Sequence, residues 1–144
     1  MTINQPRLNG SKFPMLLTLL TPEKRAVLAP LHELLDGLRR RDRAAMLAQV
    51  MPEGGATIIR EGRVLHYSLR ALLERPFSSG LIDEQIHDPY VRIDDDIATI
   101  WAPYKVFLDG KLHHTGTNIV SLVRQPDGKW LIAGHLDNSR APND

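Results

Sequence analysis

From residue 97 to residue 139 the chain alternates apolar and polar residues through three long runs, and only tight turn signals separate them. Asp109-Gly110 is a two-residue type I′ signal, and Pro126-Asp127-Gly128 suits a type I turn closed by a glycine bulge. Such a pattern commits this part of the chain to an antiparallel meander. Strands are expected at about 81–93, 97–108, 111–125 and 129–139, the first pair joined through Asp94 to Asp96.

The part before residue 80 is different. In "TPEKRAVLAPLHELLDGLRRRD" Thr21 is an N-cap, Pro22 takes the first helical position, and Glu23 lies in the first turn. Val27, Leu31, Leu34, Leu35 and Leu38 form one apolar stripe at helical spacing, with Pro30 expected to kink the helix or shift its start. Asp42 caps a second helix, "RAAMLAQVM", expected to stop at Pro52. A strand or short hairpin follows in "ATIIREGRVLHY", then a third helix, "LRALLERPF", capped by Ser68. Helices first and a meander last make an α+β order. We divide the chain into an N-terminal arm, residues 1–20, and one domain, residues 21–144.

Composition narrows the function classes. Formal net charge is +1, and the one basic run, Arg39-Arg40-Arg41, ends a helix where cations suit the macrodipole. Nucleic acid is therefore not an expected partner. There is no cysteine, so disulfides and thiolate chemistry are excluded. No run reaches the ~18 apolar residues of a membrane helix. No small-residue cleavage site follows "FPMLLTLL", and a cytoplasmic protein is expected.

The turns set a register. Asp109-Gly110 pairs Leu108 with Lys111, and counting back places Lys105 opposite His114 and Trp101 opposite Asn118. The second turn pairs Gln125 with Lys129, Leu122 with Ile132 and Asn118 with Leu136. One face then carries Trp101, Lys105, His114, Asn118, Leu136 and Asn138 among large apolar groups, which is the make-up of a small-molecule pocket. The other carries Tyr104, His113, Thr115, Thr117, Ile119, Val123, His135 and Asp137, a surface suited to packing on a second copy. A bulge at Pro103, which has no N–H, would move Trp101 to the other face.

On this reading the ligand-binding candidates are Trp101, His114, Asn118, Leu136 and Asn138. His114 is the catalytic candidate, because imidazole both donates and accepts near neutrality. The bland alternative is a buried histidine satisfied by a neighbour. Asn118 suits a ligand carbonyl or a local backbone bond equally. His135 and Asp137 share a face but show no third ligand, so no metal and no cofactor is expected. Asp83 and Glu84, at the head of a strand, could supply a carboxylate of raised pKa if buried, but a solvated strand end is the expectation; Tyr104 reads as lying on the face away from the pocket.

The stretch "IWAPYKVFLDGKLHHTGTNIVSLVRQPDGKWLIAG", residues 100 to 134, with the helix order before it, resembles the nuclear transport factor two-like superfamily. Its nearest likeness is to the SnoaL-like, lumazine-binding set of small bacterial proteins. The resemblance implies a cone-shaped α+β barrel, N-terminal helices on a curved and mostly antiparallel sheet, with a pocket between them and commonly a dimer. It implies no single activity, since the superfamily holds isomerases, dehydratases, cyclases and binding modules. The tyrosine and two aspartates of ketosteroid isomerases have no matching positions here, so no catalytic residue is carried over.

Three functions fit these expectations. The first is a small-molecule-binding homodimer. The second is an enzyme moving a proton on a carbonyl compound. The third is a dimerisation module with a filled interior.

Overall fold

The computed structural model describes residues 20–142. The expected arm lies outside them except for Leu20, which packs against the core.

Helix α1 (Pro22–Arg40) starts where Thr21 Oγ1 accepts a hydrogen bond from Lys24 N at 3.1 Å. It continues as one element through Pro30, which is itself buried. A proline inside a helix forfeits a backbone bond. Here Val27, Leu28 and Leu31, all nearly inaccessible, hold the flanking turns against the sheet. The basic run after it is structural. Arg39 and Arg40 pair with Asp36. Arg41 takes the left-handed C-cap position, and its guanidinium donates to the carbonyls of Ser78 and Gly80. The helix end is thereby tied to the loop that enters the sheet.

Helix α2 (Arg43–Leu47) is capped by Asp42 but is shorter than expected. Strand β1 (Val50–Arg60) begins where the helical pattern was read to continue, and runs through Pro52, Gly54 and Gly55. Pairing overrides propensity here. β1 lies parallel to the last strand, and Ile132 N donates to Gln49 O at 2.9 Å. Strand β2 (Arg63–Ser68) returns antiparallel after the Glu61-Gly62 turn, and Ser68 caps α3 (Leu69–Leu73).

The run expected as one strand at 81–93 is two, β3 (Ile82–Ile86) and β4 (Tyr90–Asp94). Pro89, which has no donor, and Asp88, at φ 44°, interrupt it. Both pieces pair with β5 (Ile97–Leu108), β3 along Tyr104–Leu108 and β4 along Ile97–Trp101. Strands β6 (Lys111–Arg124) and β7 (Trp130–Asp137) complete a seven-stranded mixed sheet. Its order is β2-β1-β7-β6-β5-β3. The expected adjacency of the last three strands holds. The helices cover one face, where Ile100, Leu122, Val120, Trp130 and Ile132 join Val27, Leu28 and Leu31 in the core.

Candidate functional site

Two bulges decide which side chains meet. The Asp109-Gly110 turn, with φ 52° and 83°, pairs Leu108 with Lys111 as its chemistry requires. Two residues later the register slips. Phe107 faces Leu112 and Val106 faces His114, which leaves His113 as the extra residue of a bulge. From there Lys105 pairs with Thr115, Ala102 with Asn118 and Trp101 with Ile119. The bulge therefore sits at His113. Pro103 stays in register opposite Thr117. A second slip leaves Ala133 unpaired between Leu122–Ile132 and Ser121–Gly134, so Asn118 pairs with Asp137.

These slips correct the expected faces. Trp101 lies on the convex side and is 52% exposed, and Leu136 lies there at 50%. Asn138 is exposed too, and its Oδ1 accepts from Thr117 N at 2.7 Å. These three do not line the cavity. His114 and Asn118 do, and the slips bring His135 and Asp137 onto their face. Tyr104 joins them, with its ring edge-on to His114 at 5.8 Å.

The cavity, about 240 Å³, lies between the helices and the concave face. Leu31, Leu34, Leu35 and Leu38 of α1 and Leu69, Leu72 and Leu73 of α3 form its apolar wall. The opposite end is polar. Asn118 Nδ2 donates to Glu84 Oε2 at 2.7 Å, and His135 Nε2 lies 2.7 Å from Asn118 Oδ1. Because that amide oxygen only accepts, Nε2 carries the imidazole proton and Nδ1 is left as an acceptor. Tyr104 donates its single hydroxyl proton to Asp137 Oδ1 at 2.5 Å. Gly116 makes this arrangement possible, since a Cβ there would lie 2.6 Å from the Tyr104 hydroxyl and 2.7 Å from its ring.

Burial sets the electrostatics. The Glu84 carboxyl is pushed up to about 7, chiefly by desolvation; the Asn118 amide opposes this and the Asp137 charge adds to it. Part of Glu84 remains accessible from the cavity it lines. Burial also raises the Tyr104 hydroxyl, helped by its bond to Asp137. Both His135 and His114 are held below the usual imidazole range by burial, His114 also by the charges of His113 and Arg60. Glu84, at about 7, is the group of the site poised to change protonation near neutrality. Among the described residues no three acidic or imidazole groups converge as a metal set.

Glu84 is buried against the cavity rather than solvated at a strand end, which was the expectation for it. Its signal was present: Ile82 and Ile86, two residues either side, fall on the same face of a strand, so period two places Glu84 among apolar neighbours.

No family model and no curated protein matches the sequence. Solved structures do. An NTF2-like protein of unknown function from Shewanella baltica is 14% identical, with 86% of this chain and 99% of that one covered at a TM-score of 0.65. An NTF2-like protein with a cystatin-like fold from Novosphingobium aromaticivorans is 17% identical, covering 90% and 89% at 0.66. A protein from Shewanella frigidimarina carrying the name "putative ketosteroid isomerase" is 15% identical, covering 81% and 97% at 0.62. At these identities the likeness is one of fold. The chain has the nuclear transport factor two-like α+β fold, with helices on a curved sheet that stays open at its edges.

Proposed function

We propose that the protein binds a small, mostly apolar molecule in the cavity, with the ligand's polar atom held at the Glu84–Asn118–His135 end. The observation that carries this reading is the junction of an apolar wall with a buried hydrogen-bond chain that keeps capacity to spare. His135 Nδ1 is an open acceptor, and one Glu84 oxygen is not used by Asn118. A filled interior, which a pure dimerisation module needs, does not fit a cavity of this size. The test is fluorescence of the neutral dye N-phenyl-1-naphthylamine. Saturable enhancement that Leu34→Trp abolishes by filling the cavity supports the reading. No enhancement, or enhancement that survives the substitution, rejects it.

A second reading has a specific observation behind it, a carboxyl at about 7 against the cavity. Such a group suits proton abstraction next to a carbonyl. The name of the Shewanella frigidimarina protein is in keeping with that chemistry. Glu84 would be the base. Tyr104 has committed its hydroxyl proton to Asp137, so His114, rather than Tyr104, is the donor for the enolate oxygen. Exchange of the α-hydrogens of cyclohexanone in D2O, lost in Glu84→Gln, is the outcome expected of an enzyme. An exchange rate equal to that in buffer leaves binding alone.

The proposal extends to a homodimer through the convex face. Tyr90, Trp101, Ile119 and Leu136 are consecutive cross-strand neighbours there, and three of them are exposed large apolar residues. Sedimentation at micromolar concentration is expected to give twice the chain mass.

A further inference from the structure

The cavity has a second chemical character at its rim. Arg60 and His114 line both the cavity and a neighbouring open groove, which also takes in His113, Ser139 and Arg140. Arg75 lines the cavity as well. Arg60 is half-buried at the end of β1, directly across the hairpin from Arg63. Among the described residues neither Arg60, Arg75 nor Arg140 makes an ion pair, whereas Arg39, Arg40, Arg70 and Arg124 each have a carboxylate. The groove's one acidic lining residue is Glu61, in the turn. The cavity's own acids, Glu84 and Asp137, each accept one hydrogen bond, from Asn118 and Tyr104, and neither pairs with an arginine.

We propose that this rim recognises an anionic group, so that the ligand is an amphipathic acid whose carboxylate, sulfonate or phosphate sits against Arg60 while its apolar body enters the cavity. This rests on the binding reading above and deepens it. A half-buried guanidinium without a carboxylate carries a desolvation cost that a ligand anion would offset, and its planar fork of donors matches such an anion. The positive charge there outweighs the negative: the charges of His113 and Arg60 both disfavour protonation of His114, against a smaller opposing effect of Asp137. The ligand's direction follows as well. Glu84, on β3 at the opposite end of the strand order from β1, would repel an anion, which leaves the Arg60 rim as its place.

The experiment compares N-phenyl-1-naphthylamine with its 8-sulfonate, 8-anilinonaphthalene-1-sulfonate, which adds one negative charge to the same ring system. The sulfonate is expected to bind about two- to fivefold more tightly at low salt, the range for a partly exposed charge pair. That margin should shrink in 0.5 M salt (about a 4 Å screening length). Arg60→Gln should remove most of it, weakening the sulfonate severalfold more than the neutral dye, with Arg75→Gln as the second variant should Arg60→Gln not fold. Arg92→Gln, outside both the cavity and the groove, should change neither dye. If the neutral dye binds and the sulfonate binds no better, or if Arg60→Gln weakens both dyes alike, anion recognition fails and apolar binding stands. If neither dye binds, the binding reading itself fails and this inference falls with it.

Discussion

The two ends of one concave face behave differently although the same helix covers both. At one end Val27 and Leu28 of α1 meet Ile100, Leu122 and Trp130, and almost no surface remains. Further along α1, Leu34, Leu35 and Leu38 are only partly buried, because they face a cavity rather than side chains of the sheet. Opposite them the sheet presents Glu84, His114, Asn118 and His135 where the packed end presents isoleucine, leucine and tryptophan. A helix of regular apolar pattern thus serves as core at one end and as the wall of a site at the other. The sheet makes the difference, through two bulges and a few polar residues.

The largest effect that separates the two ends is expected from truncation. Leu122→Ala, at a position 1% exposed, should destabilise the fold by about 2–5 kcal/mol, since the surroundings cannot collapse onto the space. Leu34→Ala, beside an existing cavity, should cost about 1 kcal/mol or less. Urea unfolding measures both, and equal losses would mean that the two ends are packed alike.

Next is the pH dependence of Glu84. Its folded value of about 7 lies above the ordinary value of 4.5. Between those values the folded form keeps a proton that the unfolded form has released. Folding stability from this group therefore falls as pH rises from about 4.5 to about 7, and is constant outside that window. Glu84→Gln should be the more stable protein at pH 8, by roughly 1–3 kcal/mol, and should match the wild type at pH 4. A difference that does not change with pH would mean an unperturbed carboxyl.

Gly116→Ala should cost about 1–3 kcal/mol, because the new methyl overlaps the Tyr104 ring as well as its hydroxyl. Tyr104→Phe should not rescue it. By itself Tyr104→Phe should cost about 1–2 kcal/mol, for the lost bond to Asp137. On the convex face, Trp101→Ser should leave the stability of a single chain within about 0.5 kcal/mol and weaken only self-association.

The fold was legible because its main signals are local and redundant. Thr21, Asp42 and Ser68 all cap the helices they were expected to cap. The Asp109-Gly110 turn pairs the residues that its dihedral preferences require. The site was less legible, for one physical reason. Period-two alternation carries a face assignment along a strand only while the pairing stays regular, and one extra residue inverts everything beyond it. His113 and Ala133 are such residues. The first sent Trp101 outward and Tyr104 inward, and the second did the same for Leu136 and His135. His114 and Asn118 kept their place because they share a strand with each other and lie beyond the first bulge on that strand. No residue type marks a bulge in advance. α2 was overestimated for a related reason: parallel pairing of Val50 to β7 is long-range, and nothing in the local pattern announces it.

A ligand seated in the cavity lies against Asn118 at the polar end of the concave face, and side-chain amide NMR reads that contact directly. On titration with N-phenyl-1-naphthylamine, the account predicts a saturable shift of the Asn118 Nδ2 protons with no shift of the Trp101 indole N–H. A shift at Trp101 with Asn118 unmoved would place binding on the convex face and contradict it.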